Sequence, residues 1–326
     1  MRMARHASTA ASVTMFCAFV AGSSFAQPYP TRQITMVVAA AAGGPTDIVG
    51  RLVGQMLTES LGQSVVVENR TGAGLTVGTA HAARAKPDGY TLTIASPSSH
   101  SIAPGLYASL PYDPIKDFEP ISLLFTSPTA LVVNPALPAK TLKEFIAYAK
   151  SRPGQLNYGS GGNGTTSHLT AELFKTTAGV DLVHVPYKGS GPASTDLIAG
   201  QVQMMFQGLH LALPFIKAGK LRTFGVTSAQ RSSMAPDLPT LDEAGLPGFS
   251  VNTWYGVMAP AGTPKPVIAQ LNGALLKAIN APGIRQKLTD QGLVAVGTTP
   301  EEFAALIQEE LRVWAKVIKQ SGARVD

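Results

Sequence analysis

Two glycine-rich segments carry the residue types that could hold an anion. The first reads Ala42-Gly43-Gly44-Pro45-Thr46-Asp47, and the second Gly159-Ser160-Gly161-Gly162-Asn163-Gly164-Thr165-Thr166-Ser167-His168. Each follows a short apolar run and precedes a stretch of helical period. Glycine lets the backbone approach a ligand without a Cβ in the way, and a helix start offers N–H groups and partial positive charge. The same residues also serve plain structural ends. Pro45 suits a first helical turn, Asp47 complements the helix dipole, and Thr166 or Ser167 can cap. What sets the pair apart is position, at equivalent points of two α/β series, where one ligand would be gripped from both sides. Binding candidates are therefore Gly43, Gly44, Thr46 and Asp47 in the first loop, and Ser160, Gly161, Gly164, Thr165, Thr166 and His168 in the second. Ser96, Ser98, Ser99 and His100 follow the run ending at Ala95, and Tyr187 and Lys188 follow the run ending at Pro186. Lys188 is either an offset for a ligand carboxylate or a solvated surface lysine.

Other chemistries find less support. Gly159-x-Gly161-x-x-Gly164 with Asp181 beyond it is a formal match to the dinucleotide fingerprint, but it lies mid-chain in a sequence that reads as exported. No Gly-x-Ser-x-Gly elbow occurs, and the single cysteine, Cys17, lies in a segment expected to be removed. His81, His100, His168, His184 and His210 form no His-x-x-x-His pair, so no metal site is expected, although His168 and Glu172 share a helix face. His100 and His168 adjoin candidate loops, which leaves open an exported hydrolase or isomerase with a histidine base.

The elements that must position these loops follow from composition and period. Charged residues are 14% and apolar residues 45% of 326, a composition that excludes a disordered chain and leaves room for two domains. Residues 1–26 carry Arg2 and Arg5, an apolar stretch from about Ala10 to Gly22, and Ser24-Phe25-Ala26 ahead of Gln27. This is the pattern of a secretory signal peptide cleaved after Ala26, with a stretch shorter than the ~20 residues of a membrane span. A periplasmic location follows. The formal charge of +6 falls by the two arginines removed, and the remaining Lys and Arg are dispersed, so no nucleic-acid footprint is present.

From Ile34 onward, short apolar runs alternate with helical stretches, the signature of sheets flanked by helices. Pro104, Pro111, Pro114, Pro120 and Pro128 mark a turn-rich passage that ends in a crossing near Thr126 to Pro128. A second series then runs to the turn-rich segment between Pro236 and Gly248. Three helical stretches close the chain and are expected to return to the first series; in the last, Phe303, Leu306, Ile307, Leu311, Trp314, Val317 and Ile318 share one face. The expected fold class is α/β with two lobes, each a mostly parallel sheet flanked by helices, joined by two crossings around a cleft. Residues 27–126 plus 251–326 form one lobe and 127–250 the other.

The sequence also resembles a known family, the periplasmic solute receptors of tripartite tricarboxylate transporters, or Bug family. The resemblance covers essentially the whole mature chain. It is carried by Gly43-Gly44-x-x-Asp47, Val66-Val67-Glu68-Asn69-Arg70, Pro87-Asp88-Gly89-Tyr90-Thr91, Leu110-Pro111-Tyr112-Asp113 and Asn157-Tyr158-Gly159-Ser160. His184-Val185-Pro186-Tyr187-Lys188-Gly189, Ile216-Lys217-Ala218-Gly219-Lys220-Leu221-Arg222, Glu243-Ala244-Gly245-Leu246-Pro247-Gly248 and Ala259-Pro260-Ala261-Gly262-Thr263-Pro264 complete it. The resemblance implies a monomeric two-lobed receptor of the Venus-flytrap periplasmic-binding-protein type, without cofactor, that binds a small carboxylate and presents it to integral-membrane permease subunits. It further implies that the loops matching Gly43 to Asp47 and Ser160 to Thr166 hold the carboxylate. An adaptor for a sensor has the same sequence expectations. Two departures concern the pocket. Ala39-Ala40-Ala41-Ala42 stands where the family often shows prolines and an aromatic, and Gln207 stands where Asp is common. They imply a wider pocket, with Gln207 among its residues, for an anion without an ammonium group and bulkier than a short amino acid.

Overall fold

A computed structural model describes residues 29–324, so the expected signal peptide and its cleavage site lie outside the described residues. The chain begins with β1 (Ile34–Val38), α1 (Pro45–Leu61), β2 (Val65–Asn69), α2 (Thr76–Ala83), β3 (Thr91–Ala95), the short α3 (Ala103–Leu106) and β4 (Phe118–Ser127). It continues through β5 (Thr129–Val133), α4 (Leu142–Lys150), β6 (Asn157–Ser160), α5 (Thr166–Ala178), β7 (Val183–Pro186), α6 (Ser190–Ile198), β8 (Met204–Gly208), α7 (Leu209–Lys217) and β9 (Arg222–Val226). It ends with β10 (Thr253–Pro260), α8 (Lys265–Ile279), α9 (Ile284–Asp290), β11 (Val294–Ala295) and α10 (Pro300–Ser321).

The strands form two sheets, ordered β11-β4-β10-β3-β1-β2 and β7-β6-β8-β5-β9. The strands of the βα units pair in parallel: β1 with β2 and β3, and β6 with β7 and β8. Antiparallel pairs come from the strands next to the crossings, β10 on β3 and β4, and β5 on β8 and β9. The sheets are therefore mixed rather than mostly parallel. Alternating strand and helix signals reveal βα units but carry no information on the direction in which a crossing strand returns. The largest difference from the sequence reading is β4, a ten-residue strand inside the proline-rich passage. Pro120 fits because it faces Met258 next to a register shift in the β4–β10 ladder, where a missing N–H costs little.

The crossings run from β4 through Pro128 into β5, and from β9 by way of residues 227–252 into β10. Val38, Ile94, Phe125 and Val257 of the first sheet pack with α1 and α8 in one apolar core. A second core joins Leu131, Tyr158 and Phe206 of the other sheet to Phe145 and Phe174. The final helix departs from expectation. Thr299 and Glu302 form a capping box that starts α10. Its Phe303 and Ile307 pack with Val37 and Trp254 of the first sheet, whereas Trp314, Val317 and Ile318 join the core of the second. Rather than returning to one lobe, α10 completes both. Its stripe, long enough for six turns, reaches past the edge of the first sheet. Among the described residues, no helix is long and apolar enough to cross a membrane.

Candidate functional site

A cavity of about 290 Å³ lies between the two lobes, near the lower end of the ~300 to 1,000 Å³ range of small-molecule pockets. Four helix starts border it: Pro45 and Thr46 of α1, Thr165 to Ser167 of α5, Gly189 and Ser190 of α6, and Gly208 and His210 of α7. The two glycine loops thus face one another across it. Ser98 Oγ lies 3.2 Å from Thr166 Oγ1, linking the lobes at its edge. Ser127, Thr129, Thr253 and Tyr255 from the crossing strands supply further wall, together with Thr170, Phe206, Gln207 and Leu211. The lining holds no Asp, Glu, Lys or Arg. Its electrostatics come from hydroxyls, amides and the positive ends of helices. Tyr255 contributes a neutral phenol, since burial pushes its pKa up to about 12.

Six of the sequence candidates line the cavity: Thr46, Ser98, Gly161, Thr165, Thr166 and Gln207. The others stand behind it. Asp47 is buried, and its carboxylate accepts from Gly43 N–H (2.8 Å), Arg51 Nε (2.9 Å) and Asn69 Nδ2 (2.9 Å). Burial pushes this carboxyl's pKa up, but those three hydrogen bonds outweigh it and hold the group below its ordinary range. Asp47 shapes the first loop and does not touch the cavity. Gly43, at φ +80°, spends its N–H on Asp47, and Gly44 N–H donates to Ala41 O. In the second loop the N–H groups of Gly161, Gly162 and Gly164 are held by Ser167 Oγ, Ser160 Oγ and His168 Nδ1. These five glycine N–H groups are thus spent within their own loops. Among the described residues, the N–H groups that find no carbonyl partner include those of the first helical turn, at Thr46 in α1 and at Thr166 and Ser167 in α5.

Behind the second loop, the rings of Tyr158, His184 and His168 stack, with centroids 4.7 Å and 4.0 Å apart in turn. His184 Nε2 lies 2.6 Å from Ser160 Oγ. The stack is a support that sequence reasoning passed over. Ser96, Ser99 and His100 form a buried knot in which Ser99 Oγ meets His100 Nδ1 at 2.9 Å. Neither His100 nor His168 lines the cavity; His210 is the histidine that does. Tyr187 donates its hydroxyl to Asp196, and Lys188 is exposed outside the lining. Ala39 to Ala42 do not border the cavity either. The missed wall residues Ser127 and Thr129 flank the Pro128 crossing, whereas Ser190, in the loop after Pro186 with Tyr187 and Lys188, does reach the wall. For Ser127 and Thr129, hydroxyls beside a predicted crossing were the available signal.

The buried rings make stability depend on pH. Burial pushes the pKa of His100 down to about 3, and burial, then His168 and Lys175, do the same for His184. Below about pH 6.5, the ordinary histidine value, the unfolded chain takes up protons that the folded chain refuses until about pH 3. Stability is therefore expected to be full above that window and to fall on acidification, by up to ~1.4 kcal/mol per pH unit for fully buried His100. Glu310, whose carboxyl burial pushes up against the Trp254 N–H bond, acts in the opposite sense in the carboxylate range. Urea unfolding followed from about pH 7.5 to about pH 5 measures the sum; a flat profile would remove the neutral-ring account.

Comparison with known proteins places this geometry. Residues 49–323 match the model of the tripartite tricarboxylate transporter family receptor. Protein BugT of Bordetella pertussis is 38% identical over 314 residues, spanning 94% of this chain and 96% of its own. Among solved structures, a periplasmic transporter is 43% identical with a TM-score of 0.81, over 91% of this chain and all of that one. Rpa4515 of R. palustris, solved with adipate, is 37% identical with a TM-score of 0.82 over 91% of this chain and all of its own. MatC of Rhodopseudomonas palustris, solved with bound malate, is 38% identical with a TM-score of 0.78 over 89% of this chain and all of its own.

Proposed function

Since the chain belongs to the tripartite tricarboxylate transporter receptor family, we propose that it captures a small carboxylate between its lobes and delivers it to an integral-membrane permease. The observation that carries this reading is the meeting of four helix starts on a cavity lined by no charged side chain. Partial positive charge without a cation suits an anion that must be released again. The N–H groups of Thr46, Thr166 and Ser167, with the hydroxyls of Ser98, Thr166 and Ser190, form the grip. Adipate and malate in two relatives support a carboxylate of similar size. A division at the two crossings, into residues 27–126 plus 251–326 and residues 127–250, is part of this reading; among the described residues, the separate sheets and the shared α10 support it.

Affinity then depends on both lobes. Hydrogen bonds to a charged group contribute ~1.5 to 3 kcal/mol each, while association costs ~4 to 15 kcal/mol. A dissociation constant near ~1 μM needs about −8.2 kcal/mol net, more than one loop can provide. The ligand shifts the hinge by its differential affinity for the closed form, and that form is what a permease reads. A periplasmic location is part of this reading, supported by a solved relative described as a periplasmic transporter and by the signal-peptide pattern in the sequence of residues 1–26. The family and the solved relatives are receptors and binding proteins, and binding rather than turnover is the role assigned.

A thermal-shift series with mono-, di- and tricarboxylates tests the reading. A ligand at ~100 times its dissociation constant stabilises the folded state by ~2.7 kcal/mol. Stabilisation by a carboxylate, absent with its amide or ester, is the expected result. No response to any carboxylate, with a response to neutral or cationic solutes, would overturn it.

A further inference from the structure

We propose that the receptor selects carboxylates bearing a hydroxyl, which donates to the buried carbonyl oxygen of the Gln207 side chain. This inference rests on the carboxylate reading and names the class of ligand within it. Gln207 closes the cavity wall at the end of β8, and only 4% of it is exposed. Its Nε2 donates to Ser194 Oγ at 2.7 Å. Ser194 spends its own proton on Ser190 O at 2.7 Å, so it cannot donate back to the amide. The network therefore fixes the amide orientation, with nitrogen toward Ser194 and oxygen away from it. That oxygen, Gln207 Oε1, is a buried acceptor without a partner.

Buried acceptors without partners are uncommon and costly, and a ligand donor relieves the cost. The acceptor is neutral, and the cavity wall has no carboxylate, so the matching donor is neutral too. An ammonium would lose its hydration here without gaining a counter-charge. A second group on the same wall lacks a partner, His210 Nδ1, beyond Gly208. Both unpartnered atoms belong to the β8–α7 junction, whereas Pro45 and Thr46 of α1 come from the other lobe. In this proposal the carboxylate is held at the helix starts and the hydroxyl meets Gln207. Sites built to pair a hydroxyl discriminate strongly against analogues that lack it, because the site's own polar atom is then left bare.

Calorimetric titration of the purified receptor with matched pairs is the test, taking straight-chain mono- and dicarboxylates of three to six carbons, each with and without a hydroxyl, plus the ammonium analogue. At least one hydroxylated member is expected to bind ten-fold or more tightly than its partner. In Gln207→Met, which keeps length and apolar bulk, that ratio should collapse to within about two-fold, while the partner lacking the hydroxyl keeps its affinity. Gln207→Asn, which withdraws the acceptor by one methylene, gives a second reading in a chain that retains an amide. Pairs that bind equally to the unaltered receptor, tightest binding by an ammonium analogue, or a hydroxyl preference that survives Gln207→Met would each overturn the inference and leave carboxylate binding intact. Absence of binding by every member would instead overturn the carboxylate reading and this inference with it.

Discussion

An alanine at Gly292 is expected to weaken carboxylate binding by about 30-fold or more, the equivalent of ~2 kcal/mol. Gly292 follows α9 on the side of the first sheet, at φ +71°. A Cβ there would overlap Cβ and Cγ of His210, which belongs to α7 on the other lobe and lines the cavity. The lobes meet at this point with no room for a methyl group. The substituent acts as a wedge, and apparent affinity falls with the fraction of molecules able to close. Gly283→Ala is the control, because Gly283 has a similar φ of +81° but nothing within 4 Å of an added Cβ. It carries the left-handed backbone cost of roughly 1 to 2 kcal/mol without the wedge. Calorimetry that finds Gly292→Ala binding as well as Gly283→Ala would falsify the account of closure.

A carboxylate at position 166 should separate stability from binding. Thr166 is the first residue of α5, where a negative charge complements the dipole by about 0.3 to 1 kcal/mol. Thr166→Asp is therefore expected to fold as well as the natural chain or better. The same charge faces the cavity beside Ser98, where the ligand anion would sit. Two like charges ~4 Å apart at an effective dielectric of ~20 repel by ~4 kcal/mol, so binding should weaken at least 100-fold. Thr166→Ser, which keeps the hydroxyl, should bind within a few-fold of the natural receptor. Retained affinity in Thr166→Asp would move the anion to another wall.

The contrast between these two residues shows what could be read from sequence. Thr166 was legible because a glycine loop before a helical period has few local interpretations, and the run expected to end at Ala95 ends there as β3. Gly292 was not, since its role exists only through contact with His210, some 80 residues earlier in the chain. β4 escaped for a related reason. Pro120 and the prolines on either side of the strand argue locally for a loop, and the ladders with β10 and β11 that override them are non-local. Asp47 shows the opposite case. Its position beside the cleft was readable, but the direction of its carboxylate depended on Arg51 and Asn69 closing around it. Spacing identifies which residues come near a site, whereas hydrogen-bond partners decide which atoms remain available to a guest.

The shared helix α10 has a bearing on how the molecule comes apart. With Phe303 and Ile307 seated in one core and Trp314, Val317 and Ile318 in the other, neither half buries its apolar surface without the same length of chain. Melting should then be a single cooperative event rather than two successive ones, and excising either half as a standalone fragment would leave a raw face. A guest bound at the cleft thereby protects residues far from it, including the remote turns of both halves.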